Sequence, residues 1–305
     1  MSTQEALPIP RRGGFRKTLF KGIYQGVLGA LRASFWIESR LLPRRAARRA
    51  LKMFTTPQRL RQPFPPTLPR ATEQDLDTAE GRLRCFRWAP PQARRRVLLM
   101  HGWSGASTQW QHLIALLLEQ ECEVLCFDCI GHGASGGRQA SLPTFVAMLH
   151  QVQRQLGPFD SLVGHSLGAA AAGYALSTEV GRGFDRAVLL AAPADIEDVV
   201  RRFAAFLWIN DKVRQRLQLL VEQRYQQDMA SLAVSRYGPQ VQIPVLLVHD
   251  QQDQEIPASD LQSFAAALHH RQVLETRGLG HLKILKDRAT LGAVVDFVCA
   301  GEERA

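Results

Sequence analysis

Beyond Ala71 the chain alternates two kinds of hydrophobic pattern. Short, nearly continuous apolar runs read as buried strands: Arg96–Met100, Glu123–Phe127, Ser161–Val163, Ala187–Ala191, Val245–Val248 and Val273–Thr276. Between them lie longer stretches at residues 109–119, 142–156, 258–268 and 289–298 that read as helices. Arg82–Trp88 reads as a further strand, one arm of a hairpin with residues near Glu73–Thr78. Such alternation predicts a mostly parallel central sheet flanked by helices, an α/β fold.

One interval breaks the alternation. Residues 197–240 separate two consecutive strands and carry Val200, Phe203, Phe206, Leu207 and Ile209, then Val213, Leu217, Leu220 and Val221. The spacing predicts two or three amphipathic helices forming a small lid over the sheet's carboxyl edge, lining an apolar pocket. The plainer reading is an ordinary crossover with one extra helix.

The first 70 residues follow a different rule. From Phe15 to Leu42, Leu19/Phe20, Ile23/Tyr24, Val27/Leu28, Leu31 and Phe35 recur every three to four residues, with Lys17, Lys21, Gln25 and Arg32 on another stripe. This predicts a basic amphipathic helix. Pro43 ends it, Arg44, Arg45, Arg48, Arg49 and Lys52 follow on a second short helix, and Pro57, Pro63, Pro65, Pro66 and Pro69 make a linker. The expected organisation is a basic extension over 1–70 and a catalytic domain over 71–305.

Charge sharpens that division. Of 38 Lys and Arg and 28 Asp and Glu, residues 1–70 hold fifteen and two, leaving 23 and 26 for the rest. The basic character of the chain therefore belongs to the extension. It fits attachment to an anionic membrane surface through residues 15–52, or a helix packed on the domain with its basic face in water. A third reading is a cleaved export signal beginning at Arg11-Arg12. The longest charge-free stretch, Gly22–Leu31, is far below the ~20 apolar residues needed to span a bilayer. Nucleic acid is the weaker partner, because the arginines lack interleaved stacking aromatics. The five cysteines (Cys85, Cys122, Cys126, Cys129, Cys299) have no metal-ligand spacing and read as reduced thiols. The expected setting is cytoplasmic, with association with the inner face of a membrane as the addition the extension suggests.

Candidate chemistry centres on Gly164-His165-Ser166-Leu167-Gly168, a G-x-S-x-G placed between a short strand and a run of small residues, Ala169–Ala172. A serine on a sharp strand-to-helix turn has strained backbone angles, and glycines two residues before and after relieve the crowding. Acyl transfer by serine also needs a base, an acid to hold the base, and donors for the oxyanion. After the strand ending at Met100 comes His101-Gly102-Trp103-Ser104-Gly105, which offers the Trp103 N–H; the Leu167 N–H is the second donor. The acid is expected after a late strand, where Asp250 and Asp253 both occur; Asp253 lies further into the loop and is preferred, with Asp195 a lesser candidate. The base is expected after the last strand, at Gly278-Leu279-Gly280-His281. His101 and His165 read as structural neighbours of the two turns, and His132 as ordering its own loop. His112 and His150 fall in helical runs, and His269 and His270 end a helix. The candidate order is Ser166, Asp253, His281.

Over roughly 81–300 the chain resembles the α/β-hydrolase superfamily. The resemblance is carried by HGWSG at 101–105, D-x-x-G-H-G-x-S-G-G from Asp128, GHSLG, the HDQQD stretch at 249–253 and GLGH at 278–281. The G-H-G-x-S-G-G loop and the modest lid are similar to the monoglyceride-lipase and serine-hydrolase branch. The resemblance implies an α/β-hydrolase fold and a carboxylic-ester hydrolase working through an acyl-enzyme with no metal or cofactor. Asp250 stands where many members have glycine, so two aspartates compete for one role. The expected substrate is a small lipophilic ester. Thioester, amide or carbon–carbon hydrolysis and acyl transfer use the same three residues, and a membrane-docked binding protein with incidental hydrolysis is a reading of another class.

Overall fold

Apolar runs and turn residues resolve into eight strands: β1 (Thr72–Thr78), β2 (Gly81–Trp88), β3 (Arg95–Met100), β4 (Cys122–Asp128), β5 (Ser161–His165), β6 (Arg186–Leu190), β7 (Val245–Asp250) and β8 (Arg271–Thr276). The computed structural model describes residues 13–300, with side chains from Gln25 onward. The strands form one sheet in the order β1-β2-β4-β3-β5-β6-β7-β8. β1 pairs antiparallel with β2 and β2 with β4; the remaining neighbours are parallel. Every residue of β4, β5 and β7 is buried, which is why these runs are apolar on both faces instead of alternating with polar positions. The β1 edge carries acids instead, and Asp75 pairs with Arg84 of β2 at 2.6 Å, a charged margin that discourages pairing with another chain.

The helices sort onto the two faces. On one, α3 (Gln111–Glu119) and α11 (Arg288–Cys299) cover Val97, Leu99, Val163 and Val188. On the other, α4 (Leu142–Leu156), α5 (Leu167–Leu176) and α9 (Ala258–Ala267) cover Leu98, Leu162, Ala187 and Leu247. Val97/Leu99 and Leu98/Met100 thus serve opposite cores from one strand, the period of two expected of a pleat. Because β3 lies between β4 and β5, the strand order reverses at β3, and the carboxyl ends of β3 and β5 open a crevice there.

Residues 196–240 lie above that crevice as α6 (Ile196–Phe206), α7 (Asp211–Tyr225), the short α8 (Val234–Tyr237) and single 3₁₀ turns. Asp195 caps α6 by accepting from the Glu197 N–H at 2.8 Å, and Asn210 caps α7 by accepting from the Val213 N–H at 3.0 Å.

The extension forms α1 (Gly13–Leu41) and α2 (Pro43–Thr55). The Lys17 and Lys21 stripe, with Leu19, Phe20, Ile23 and Tyr24, lies outside the described side chains. α2 turns Ala46, Ala47 and Ala50, all fully buried, towards α7 and its buried Val213, Leu217 and Val221. Small side chains on α2 let the two helices approach closely. Phe35 of α1 is also fully buried in the same core. The end of α2 and the linker are stitched down as well: Ala140 N–H donates to the Thr55 carbonyl at 2.9 Å, and Arg59 Nη2 donates to the Gly137 carbonyl at 2.7 Å. Arg32, placed by sequence on an outer basic stripe, instead reaches inward to the lid and donates through Nε to the Phe206 carbonyl at 2.7 Å. The helix has turned so that its cation meets a carbonyl and two aromatic rings. Among the described residues, no helix is long and apolar enough to cross a membrane.

This packing has a direct consequence. Ala47→Leu is expected to overpack the α2–α7 contact and lower unfolding stability by about 1–3 kcal/mol, read from urea unfolding. An unchanged midpoint would show α2 to be loosely attached.

Candidate active site

At the sheet's upper edge, between β5 and α5, Ser166 has φ 53° and ψ −123°. A non-glycine residue at positive φ is strained and needs its surroundings to hold it. Here they do. A Cβ on Gly164 would lie 2.6 Å from the Ala169 Cα, and one on Gly168 would lie 2.3 Å from the His101 carbonyl oxygen. Only glycine lets β5, α5 and the end of β3 come this close. Ser166 N–H donates to the Leu190 carbonyl at 2.8 Å, which pins the turn to β6. Leu167 is the first residue of α5, so its N–H has no acceptor within the helix and points with the helix dipole towards the crevice. The β3 end turns through Gly102–Gly105, where the Gly105 N–H donates to the Gly102 carbonyl at 3.0 Å, and Trp103 sits in the bend.

On the far side of the crevice, His281 lies in the helical turn α10 (Gly280–Lys283). Its Nδ1 is 2.7 Å from Asp253 Oδ2, both groups buried. Asp253 Oδ1 accepts from the Glu255 and Ile256 N–H groups at 2.8 and 3.0 Å. Burial pushes the Asp253 carboxyl up, but the hydrogen bonds from His281, Ile256 and Glu255 outweigh it and hold the group below the usual carboxylate range. An ionised Asp253 accepts from the His281 Nδ1–H, which fixes the tautomer and leaves Nε2 without a proton.

Asp250, the rival carboxylate, has another set of partners. Its Oδ2 accepts from Thr276 Oγ1 at 2.9 Å and from the Leu279 N–H at 3.0 Å, and its Oδ1 accepts from the Gln252 N–H at 2.9 Å. It therefore ties the segment that carries His281 to the end of β7. Burial pushes the Asp250 carboxyl up, yet the donors from Leu279, Gly280, Thr276 and Gln252 prevail and bring it to about 2. Asp195, the lesser candidate, is the α6 cap.

Three further histidines beside the site, His165, His101 and His132, are buried, which disfavours their charged forms. His165 Nε2 is 3.0 Å from the His281 carbonyl oxygen, and the two rings are 4.7 Å apart between centroids. Burial, then the neighbouring His281, push His165 down to about 3. His101 Nε2 accepts from the Cys129 N–H at 2.9 Å, and burial lowers its pKa. His132 meets the Trp103 ring edge to face and lies tilted beside His101, and burial followed by His101 brings it down to about 3. Among the described residues no hydrogen bond joins Ser166 Oγ to His281; His165, next to Ser166 in the chain, is the group that bridges the two halves of the crevice.

Ser166, Leu167 and Trp103 open onto a cavity of about 480 Å³ between the sheet edge and the lid. Its walls are mainly apolar: Ile196, Val199, Phe203 and Phe206 of α6, Val221 and Tyr225 of α7, and Leu142 of α4. Some contributors were not legible in the sequence. Met53 and Phe54 of α2 complete the wall, and the Phe54 and Phe203 rings meet edge to face at 5.2 Å. Glu255 also lines the cavity, with Oε2 at 3.7 Å from His281 Nε2. Its place two residues beyond Asp253 was the one available signal. No group of three or more His, Cys, Asp or Glu able to hold a metal occurs among the described residues.

The model of the alpha/beta hydrolase family matches residues 97–292, which spans the crevice from β3 into α11. The chain belongs to that family. No curated protein matches it in sequence. Among solved structures it is similar to an esterase of Pyrococcus furiosus, with a TM-score of 0.61 at 16% identity over 80% of this chain and 98% of that one. It is also similar to a thioesterase domain from the curacin biosynthetic pathway (TM-score 0.57, 19% identity, 75% of this chain and 99% of the other). A proline iminopeptidase of Mycobacterium smegmatis gives a TM-score of 0.56 at 17% identity, over 74% and 97%. At these identities the likeness concerns the fold. The match to the monoglyceride-lipase branch is not part of it.

The geometry makes Asp250 a stability group with a defined pH range. Its folded pKa of about 2 lies below the ~3.9 of an unfolded aspartate, so its contribution is complete above about pH 4 and is lost as the pH falls through about 2. Asp250→Asn is expected to unfold more easily than the parent at pH 6, with the gap closing near pH 2. A gap that stayed constant across that range in urea titrations would contradict the assignment.

Proposed function

We propose that the protein is a serine hydrolase that cleaves a lipophilic carboxylic ester through an acyl-enzyme. The reading is carried by one juxtaposition: the buried 2.7 Å contact between Asp253 and His281 on one side of the crevice whose other side is the strained Ser166 turn. Ser166 is the nucleophile. His281 Nε2 takes the Ser166 proton as Oγ attacks the carbonyl carbon, then returns it to the departing alcohol oxygen. Asp253 holds the ring and stabilises the imidazolium. The N–H groups of Trp103 and Leu167 receive the oxyanion, a contribution of about 3 kcal/mol per donor. Water, activated by the same nitrogen, then releases the acid from Ser166.

The choice of a lipophilic acyl chain is supported by the cavity. Its walls are aromatic and aliphatic, and its volume falls within the ~300–1,000 Å³ range of small-molecule sites. The similarity to an esterase, a thioesterase domain and a peptidase agrees with acyl chemistry and leaves the leaving group to experiment.

Purified protein assayed on short- and long-chain p-nitrophenyl esters, an acyl thioester and an aminoacyl amide is expected to prefer esters with medium or long chains. Preference for the thioester or amide would reassign the leaving group. Asp253→Asn is expected to lower kcat by about 10³–10⁴, while Asp250→Asn acts mainly through stability. Equal losses in both variants, with both folded, would return the acid role to Asp250 or to neither.

A further inference from the structure

The outward face of α1 is wrong for water. From Gln25 to Leu41 its exposed side chains are Gln25, Val27, Ala30, Ala33, Trp36, Ile37, Arg40 and Leu41, so a solvent-facing helix surface carries a single charge. Trp36 is 49% exposed, Ile37 48% and Leu41 72%. Across Arg32, the α6–α7 turn adds Phe206 and Trp208, also about half exposed. The Arg32 guanidinium stands 4.6 Å over the Phe206 ring and 5.6 Å from that of Trp208, so α1 and the lid present one continuous surface. Two exposed indoles on one apolar ridge exceed the scattered hydrophobics of an ordinary surface.

Cations frame the ridge. Where α1 turns into α2, Arg40, Arg44, Arg45, Arg48 and Lys52 are all exposed, while the opposite face of α2 is buried on α7. The one acid between residues 25 and 55, Glu38, is held by Arg49 at 2.9 Å. Within residues 25–55 no other acid offsets these cations, and Asp211, just beyond the Phe206–Trp208 turn, is itself paired with Arg214 at 2.9 Å. Indole and aliphatic groups beside arginines match the boundary of a lipid bilayer, with apolar groups entering the acyl region and cations meeting lipid phosphates. The same charge weighs against a second copy of this chain as the occupant, since two such faces would oppose cation to cation.

We propose that the outer face of α1, joined with the Phe206–Trp208 turn and the basic face of α2, docks on an anionic lipid membrane. Docking is peripheral, through one helix face and one turn. Met53 and Phe206 belong to the docking elements and also line the cavity. Given the hydrolase reading above, the cavity mouth opens beside the bilayer, where a lipophilic ester is most concentrated. The docking itself does not rest on that reading.

Vesicle flotation of the full chain tests it without any substrate. The protein is expected to float with mixed phosphatidylcholine–phosphatidylglycerol vesicles, to stay behind with phosphatidylcholine alone, and to release as salt rises from about 0.1 to 0.5 M. Ile37→Glu with Leu41→Glu, at exposed positions outside the cavity, should cut the bound fraction about tenfold or more at unchanged melting temperature. Arg44→Gln with Arg45→Gln should remove the preference for the anionic lipid. Binding to neither vesicle, or equal binding by parent and Ile37→Glu/Leu41→Glu protein, would overturn the proposal. So would a concentration-dependent dimer in sedimentation velocity that the glutamates dissolve, which would make the face a subunit contact. Because the readout is binding, its failure leaves the hydrolase reading standing, and loss of hydrolase activity would leave the docking result intact.

Discussion

The close approach of three backbones at Ser166 is the constraint on which the rest of the site depends. β5 ends, α5 begins and the β3 turn passes alongside, all within the space that a single Cβ on Gly164 or Gly168 would occupy. That contact holds the serine at φ 53°, a conformation an isolated serine would leave. It also sets the α5 N-terminus directly behind the hydroxyl and the Trp103 turn beside it. The β3–β5 pairing, Met100 opposite Gly164, supplies the rigidity. The strain at one residue is thus stabilised by a sheet buried on both faces.

The second half of the site is positioned by register. β7 and β8 pair with Asp250 opposite Thr276, which places the Asp250 carboxylate under the segment running from Thr276 to Gly280. Three residues later the chain has turned, with the Asp253 N–H on the Asp250 carbonyl at 3.0 Å, and Asp253 reaches His281. Two aspartates in one loop therefore divide the work. One holds the histidine's segment, and the other holds the histidine. His165 links this half to the serine half through the His281 carbonyl, and its burial disfavours its charged form.

The central strands were legible because burial on both faces demands unbroken apolar runs, and the Ser166 turn because its glycines are sterically required. The lid was legible as a gap too long for a crossover. The attachment of the extension was not. α2 meets α7 through Ala46, Ala47 and Ala50, whose small side chains leave almost no hydropathy signal next to four arginines and a lysine. Arg32 looked like part of an outer basic stripe because periodicity assigns a residue to a face without saying what that face touches. In the folded chain Arg32 is taken up by the lid while Phe35 is buried in the core, and the exposed apolar side chains of α1 are instead Val27, Trp36, Ile37 and Leu41. The competition between Asp250 and Asp253 needed the turn geometry, which no residue pattern encodes. For Glu255 the sequence offers only its place two residues beyond Asp253; its approach to His281 Nε2 depends on how the loop folds.

Covalent capture of the serine tests the account most directly. The folded protein, treated with a fluorophosphonate and examined by intact mass and peptide mapping, should carry a single adduct on Ser166. The adduct should disappear in Ser166→Ala and form much more slowly in a folded His281→Ala variant. A folded protein that takes no label, or one labelled at another residue with Ser166 free, would contradict the central claim that this strained turn carries the nucleophile.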